Sequence, residues 1–209
     1  NVFLAIFTTS HLRRKTLSRW TEAPHLAEVG YNLEDALVVA QWLNVFLRKC
    51  DVVKIACMAQ IVNIISWLHT TREGLLKHTS YYPFMLVSNH ARGNSLDVLV
   101  KAPQYETKQF GTMPLLDVAA SHDPETGRQS VFIVNRSQTE TITTELVWQD
   151  APPAQVTAIH QLTGTDVKAE NTFEQPDRIV PAQHAGGPVT DGKYLLVLPP
   201  LSFTTVLAG

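Results

Sequence analysis

Gln60 follows directly on the near-continuous apolar run Val52-Val53-Lys54-Ile55-Ala56-Cys57-Met58-Ala59, and Asn63 stands close behind among Ile61, Val62, Ile64 and Ile65. A carboxamide donates and accepts hydrogen bonds, so at an open strand tip it can hold a hydroxyl-rich ligand. It can equally cap a backbone group there, and the residues alone leave both roles open. Other chemistry is hard to find. Glu34 and Asp35 sit at a helix start, where the dipole accounts for them. Glu22 and Glu28 flank Pro24 in a loop, while Asp97, Asp117 and Glu145 fall on candidate strands, where a solvated face is expected. The eight histidines (His11, His25, His69, His78, His90, His122, His160 and His184) show no metal-site spacing, and no Cys/His cluster accompanies them. No glycine-rich phosphate loop and no nucleophile-elbow serine is present.

The elements that must position Gln60 come in two styles. Apolar positions Ala36, Val39, Ala40, Leu43, Phe46 and Leu47 recur at helical steps, which predicts a helix over 32–47. Asn32 is its N-cap, Asp35 lies in the first turn, and Arg48 and Lys49 lie in the last. Trp42 and Val45 widen its apolar surface, so it is expected to pack on more than one side. Val52–Ala59 lacks alternation, as a parallel strand buried on both faces requires. Residues 69–80 read as an exposed loop. A second helix is expected from Pro83 to Gly93.

After Asn94 the period becomes two. Candidate strands are 95–101, 116–121, 130–135, 141–148, 156–162, 194–198 and 203–207, separated by turns such as 123–127 and Ala185-Gly186-Gly187-Pro188. The fold class expected is α/β plus all-β: the terminal part of a (β/α)8 barrel over 1–93, then an antiparallel β-sandwich over 94–209. A partial barrel leaves strand edges unpaired, so 1–93 alone should associate or aggregate, whereas the sandwich can fold by itself.

With 17 basic and 19 acidic residues in 209, the net charge is −2. There is no basic run with interleaved aromatics, so a nucleic-acid partner is not expected. No apolar stretch nears the ~20 residues that span a bilayer, and no membrane partner is expected. The two cysteines, Cys50 and Cys57, read as diverging, reduced, buried thiols in a cytoplasmic protein. Val2–Phe7 is apolar but precedes its basic cluster (Arg13, Arg14, Lys15), the reverse of a secretory signal. Together with a first residue that is Asn, this suggests a truncated sequence.

Several motifs stand out: Ala23-Pro24-His25-Leu26, Tyr31-Asn32-Leu33-Glu34-Asp35-Ala36-Leu37, the run from Asp51 to Asn63, Tyr81-Tyr82-Pro83-Phe84-Met85, and Val131-Phe132-Ile133-Val134-Asn135-Arg136. In order and spacing they resemble family 51 glycoside hydrolases, the intracellular-type α-L-arabinofuranosidases. The resemblance implies retaining hydrolysis by two glutamates about 5–5.5 Å apart. Asn1-Val2 looks like the end of the family's Glu-Trp-Asn-Val-Trp pattern, although Phe3 departs from the final Trp. On that reading the nucleophile lies two residues ahead of this sequence, the acid/base further upstream, and no catalytic residue is present.

Gln60 then matches a glutamine lining the arabinose subsite at the end of the eighth barrel strand, and Asn63 matches a nearby position. The resemblance implies an arabinose-containing oligo- or polysaccharide as substrate and no cofactor or metal. A homo-oligomer is a further expectation, since relatives often form one. Two other classes stay open: a stand-alone carbohydrate-binding sandwich, which would want a row of exposed aromatics, and a scaffold derived from the enzyme.

Overall fold

The computed structural model describes residues 4–6 and 29–209. In chain order the elements are β1 (Leu4–Ile6), α1 (Leu33–Arg48), β2 (Ile55–Cys57), β3 (Leu68–Thr70), β4 (Leu75–Lys77), α2 (Tyr81–His90), β5 (Asn94–Leu96), β6 (Gln104–Thr107), β7 (Gly111–Pro114) and β8 (Leu116–His122). Then follow β9 (Gln129–Asn135), β10 (Ile142–Val147), β11 (Gln155–Leu162), β12 (Ala182–Pro188), β13 (Lys193–Leu198) and β14 (Ser202–Ala208). The chain is mostly β with two helices. The Asn1-Val2 and Ala23–Leu26 motifs lie outside the described residues.

Six strands form one antiparallel sheet in the order β12-β11-β14-β9-β8-β5. Alternation divides its side chains. Phe132 and Val134 of β9, Phe203 of β14 and Leu162 of β11 face α1 and α2 and share a core with Leu33, Val39, Leu43, Leu86 and Val87. Val131, Ile133, Val206 and Val118 face the other way, under the β10–β13 pair and residues 98–102. The result is a β-sandwich with both helices laid on its outer face. Each fully buried large side chain contributes roughly 1.5–3 kcal/mol, and Phe132 and Phe203 are among the largest. The helix-side core crosses residue 93, so a separately folding 94–209 would leave Phe132, Val134, Leu162 and Phe203 uncovered.

α1 begins on a capping box: Asn32 Oδ1 accepts from the Asp35 N–H at 3.2 Å, and the Asn32 N–H donates to Asp35 Oδ2 at 3.0 Å. The next free N–H groups, of Leu33 and Glu34, donate to the Ala169 and Val167 carbonyls of the β11–β12 connection. Leu33, Ala36, Ala40 and Leu43 are buried, but Trp42 and Val45 are exposed. The helix therefore packs on one broad side rather than several. α2 starts at Tyr81, two residues before Pro83; the missing proline N–H costs nothing in a first turn. Gly93 (φ +71°) closes that region, where a Cβ would lie 2.2 Å from the His122 carbonyl.

Four expectations are corrected. Residues 69–80 hold the β3–β4 hairpin, and His69, His78, Thr79 and Ser80 are buried. Both cysteines are free and exposed rather than buried. Ala185–Pro188 is not a turn but part of β12, paired with β11. Its Gly186 is required by contact: an added Cβ would lie 1.9 Å from the Val156 carbonyl. Lastly, the terminal barrel part expected over 1–93 is not seen among the described residues, which form a β-sandwich with two helices. The one parallel contact joins Leu4, Ala5 and Ile6 of β1 to Ile55, Ala56 and Cys57 of β2. β2 is shorter than the apolar run that announced it, and Ile55 is 46% exposed, because nothing among the described residues packs over it.

Candidate functional site

Gln60 lies three residues beyond β2, exposed, with φ +59°. Asn63 (φ +64°) and Ile64 (φ +58°) share that left-handed conformation. For a β-branched residue such as Ile64 it is unusual, and such residues persist only when their surroundings hold them. Several bonds do so. Asn63 Oδ1 accepts from the Thr70 N–H at 2.8 Å and Asn63 Nδ2 donates to Thr70 Oγ1 at 3.3 Å. The Asn63 N–H donates to the Leu68 carbonyl at 2.7 Å, and Ser66 Oγ donates to the Ile61 carbonyl at 2.5 Å. Asn63 is thus spent on clasping the loop.

Gln60 is used differently. Its Oε1 accepts from the Ile65 N–H at a long 3.4 Å. Its NH2 group has no hydrogen-bond partner among the described residues. The amide thus meets one backbone group, the Ile65 N–H, through its oxygen, and its two N–H donors are unused among the described residues.

The loop rests on the segment leading into α1. The Val29 N–H donates to the Ile64 carbonyl at 2.9 Å, and Tyr31 Oη donates to the Ile65 carbonyl at 2.5 Å. Tyr31 is 3% exposed; burial first, and the Asp35 carboxylate second, push its phenol well above the usual range. The His78 ring meets Tyr31 edge-on at 5.7 Å, and His69 meets His78 at 4.3 Å. Burial, then the neighbouring His69, lowers His78 to about 3, so its imidazole is neutral at ordinary pH. This histidine pair was not read as a unit from the sequence, because the polar string Thr70-Thr71-Arg72-Glu73-Gly74 between them resembles a loop. The i, i+9 spacing across a short hairpin was the available signal.

Asp117 also departs from expectation. It is buried rather than solvated, and it meets Arg48 at 3.0 Å, Arg136 at 3.4 Å and Asn44 Nδ2 at 2.9 Å. Arg136 reaches Gln41 Oε1 at 2.6 Å. The cluster ties α1 to the sheet and leaves the carboxylate no catalytic freedom. Glu34, Asp166 and Glu145 pair with Lys168, Arg178 and Lys193. No group of three or more metal-ligating side chains occurs among the described residues. A hollow of about 60 Å³ beside Leu47, Cys50, Arg92, Gly93 and Ser121 carries no carboxylate. No helix among the described residues is long and apolar enough to cross a membrane.

Comparison with known proteins places these features. A family model described as the α-L-arabinofuranosidase C-terminal domain matches residues 8–202. The intracellular exo-α-(1→5)-L-arabinofuranosidase of Streptomyces lividans is 36% identical over 190 residues, covering 90% of this chain and 28% of the relative. Its Halalkalibacterium halodurans counterpart is 32% identical, over 93% of this chain and 39% of the relative. Among solved structures, the family 51 α-L-arabinofuranosidase of Bifidobacterium longum superposes with a TM-score of 0.80 at 28% identity, covering 91% of this chain and 38% of that one. The Thermotoga maritima enzyme, solved with arabinose, superposes at 0.78 with 23% identity and shares the fold, over 89% of this chain and 40% of that one. The chain therefore spans well under half the length of these relatives, over which it belongs to the α-L-arabinofuranosidase C-terminal domain family.

Proposed function

We propose that this chain serves as the C-terminal part of a retaining α-L-arabinofuranosidase that releases terminal arabinofuranose from arabinose-containing oligo- or polysaccharides. In this reading residues 1–93 complete a catalytic (β/α)8 barrel, 94–209 form the sandwich that braces it, and the two glutamates come from sequence beyond these 209 residues. The observation that carries it is Gln60: an exposed carboxamide beyond the C-terminal end of a parallel-paired strand, its NH2 without a partner among the described residues. Functional groups of barrel enzymes gather at that end of the strands.

The exposed apolar side chains Val52, Ile55 and Ile61 support the barrel reading, since a barrel strand is covered on both faces. The names of the relatives support an intracellular setting. Gln60 donates to a sugar hydroxyl and fixes the ring while the nucleophile attacks the anomeric carbon and the other acid protonates the leaving oxygen. An amide cannot replace the nucleophile.

The test is a hybrid in which this chain replaces the corresponding part of the Streptomyces lividans relative. The 209 residues alone should leave an aryl α-L-arabinofuranoside intact, and the hybrid should hydrolyse it. Gln60→Ala in the hybrid should lower kcat/KM by about 10- to 100-fold, the size of one or two lost hydrogen bonds. Turnover by the isolated chain would refute the division of labour.

A further inference from the structure

We propose that Tyr31 is a positioning residue for Gln60: its buried hydroxyl fixes the strained Ile64–Ile65 backbone that aims the Gln60 amide. The argument starts from freedom. An exposed glutamine has three rotatable side-chain bonds, and among the described residues the one hydrogen bond restraining the Gln60 side chain is that from the Ile65 N–H. Where that N–H points is set by two peptide planes. The Ile64–Ile65 plane donates to Gln60 through its N–H and accepts from the Val29 N–H through its carbonyl, at 2.9 Å. The Ile65–Ser66 plane accepts from Tyr31 Oη at 2.5 Å, while its N–H donates to the Asn63 carbonyl at 3.0 Å.

Ile64, at φ +58°, immediately precedes these two planes. A β-branched residue in that conformation relaxes toward negative φ unless held. Relaxation would swing the Ile65 N–H away and release the amide. Val29 acts through backbone, so Tyr31 is the side chain outside the loop whose bond to these planes can be removed without altering the loop's own residues.

Tyr31 is itself buried, against the edge of His78, and it immediately precedes Asn32, the N-cap of α1. The aim of Gln60 is thereby referred to the helix that lies on the sandwich. This inference rests on Gln60 as the sugar contact, and its test reads the amide without sugar.

In the ¹⁵N-labelled 209-residue chain, the Gln60 side-chain resonances are assigned by their loss in Gln60→Ala. Tyr31→Phe keeps the ring and removes only the hydroxyl. It should speed Ile65 amide hydrogen exchange at least tenfold and move the Gln60 NH2 resonances toward those of free glutamine, with Phe132 amide exchange unchanged. Unchanged Ile65 exchange and Gln60 resonances in folded Tyr31→Phe, or equal acceleration at Phe132, overturns the proposal. Should Tyr31→Phe not fold, the unsubstituted chain decides: the Tyr31 hydroxyl proton must give a slowly exchanging resonance with a cross-peak to Ile65, and its absence overturns the proposal.

The sugar arm is separate. If Gln60→Ala leaves hybrid activity intact while Tyr31→Phe moves the Gln60 resonances, the positioning holds and the sugar contact falls.

Discussion

Residues 129–135 and residues 60–66 are each seven long, and the same chain holds them by opposite means. The first, β9, has a paired strand on either side and six consecutive buried residues, with apolar contacts to both faces. The second has three residues at positive φ, Ile61 82% exposed, and its shape set by individual hydrogen bonds with Val29, Tyr31, Leu68 and Thr70. Burial is shared among many neighbours, so β9 is stable but cannot direct one side chain finely. Single bonds store less energy yet fix direction, as the sugar contact proposed for the Gln60 amide requires. In this molecule the sandwich supplies stability, and the loop converts it into orientation.

The sharpest way to break that comparison is to damage the sheet and watch the loop. Phe132→Ala empties a fully buried position between the helices and β9 and should cost about 3–5 kcal/mol. Denaturant melts followed at two probes should show sheet and loop failing together; a loop signal that survives sheet unfolding would contradict the dependence. Asp117→Ala attacks the joint itself. It leaves Arg48 and Arg136 without their shared carboxylate beneath α1, for a loss of about 3 kcal/mol in a thermal or denaturant melt. A loss below about 1 kcal/mol would mean that the helix is held by apolar contact alone.

A graded effect should come from His78, which packs against Tyr31 beneath the loop. Its folded pKa, about 3, lies below the unfolded value of 6.5. The unfolded chain therefore binds the extra proton between those values. The contribution is complete above pH 6.5 and is lost as pH falls toward 3, with a slope approaching about 1.4 kcal/mol per pH unit. The groups facing it are His69, on β3, and Tyr31. His78→Phe should flatten the stability profile between pH 6 and 4, read from midpoints of urea melts; an unchanged slope would assign the acid sensitivity elsewhere.

Much of the sandwich was legible because strand period is a local property. The 116–121, 130–135 and 156–162 segments each extend by no more than a residue at either end in β8, β9 and β11. Gly186 misled because a glycine pair reads as a turn, whereas here it answers to the Val156 carbonyl, a neighbour distant in sequence. Asp117 misled for the same reason: its partners lie on α1 and beyond β9. Residues 69–80 read as a loop because their composition is polar, and nothing local reports that His69 and His78 close on one another. At the site, the position of Gln60 beyond a parallel-paired strand was legible, and the clasp by Asn63 and the brace by Tyr31 were not. Those depend on side chains meeting across a fold, which pattern alone does not encode.

The central claim is that the Gln60 amide meets the sugar. A crystal structure of the hybrid enzyme with arabinose bound tests it directly. The account predicts Gln60 Nε2 within about 3.2 Å of a sugar hydroxyl, with Oε1 still turned to the Ile65 N–H. A bound sugar whose hydroxyls are all met by other residues, with Gln60 beyond hydrogen-bonding reach, would contradict it.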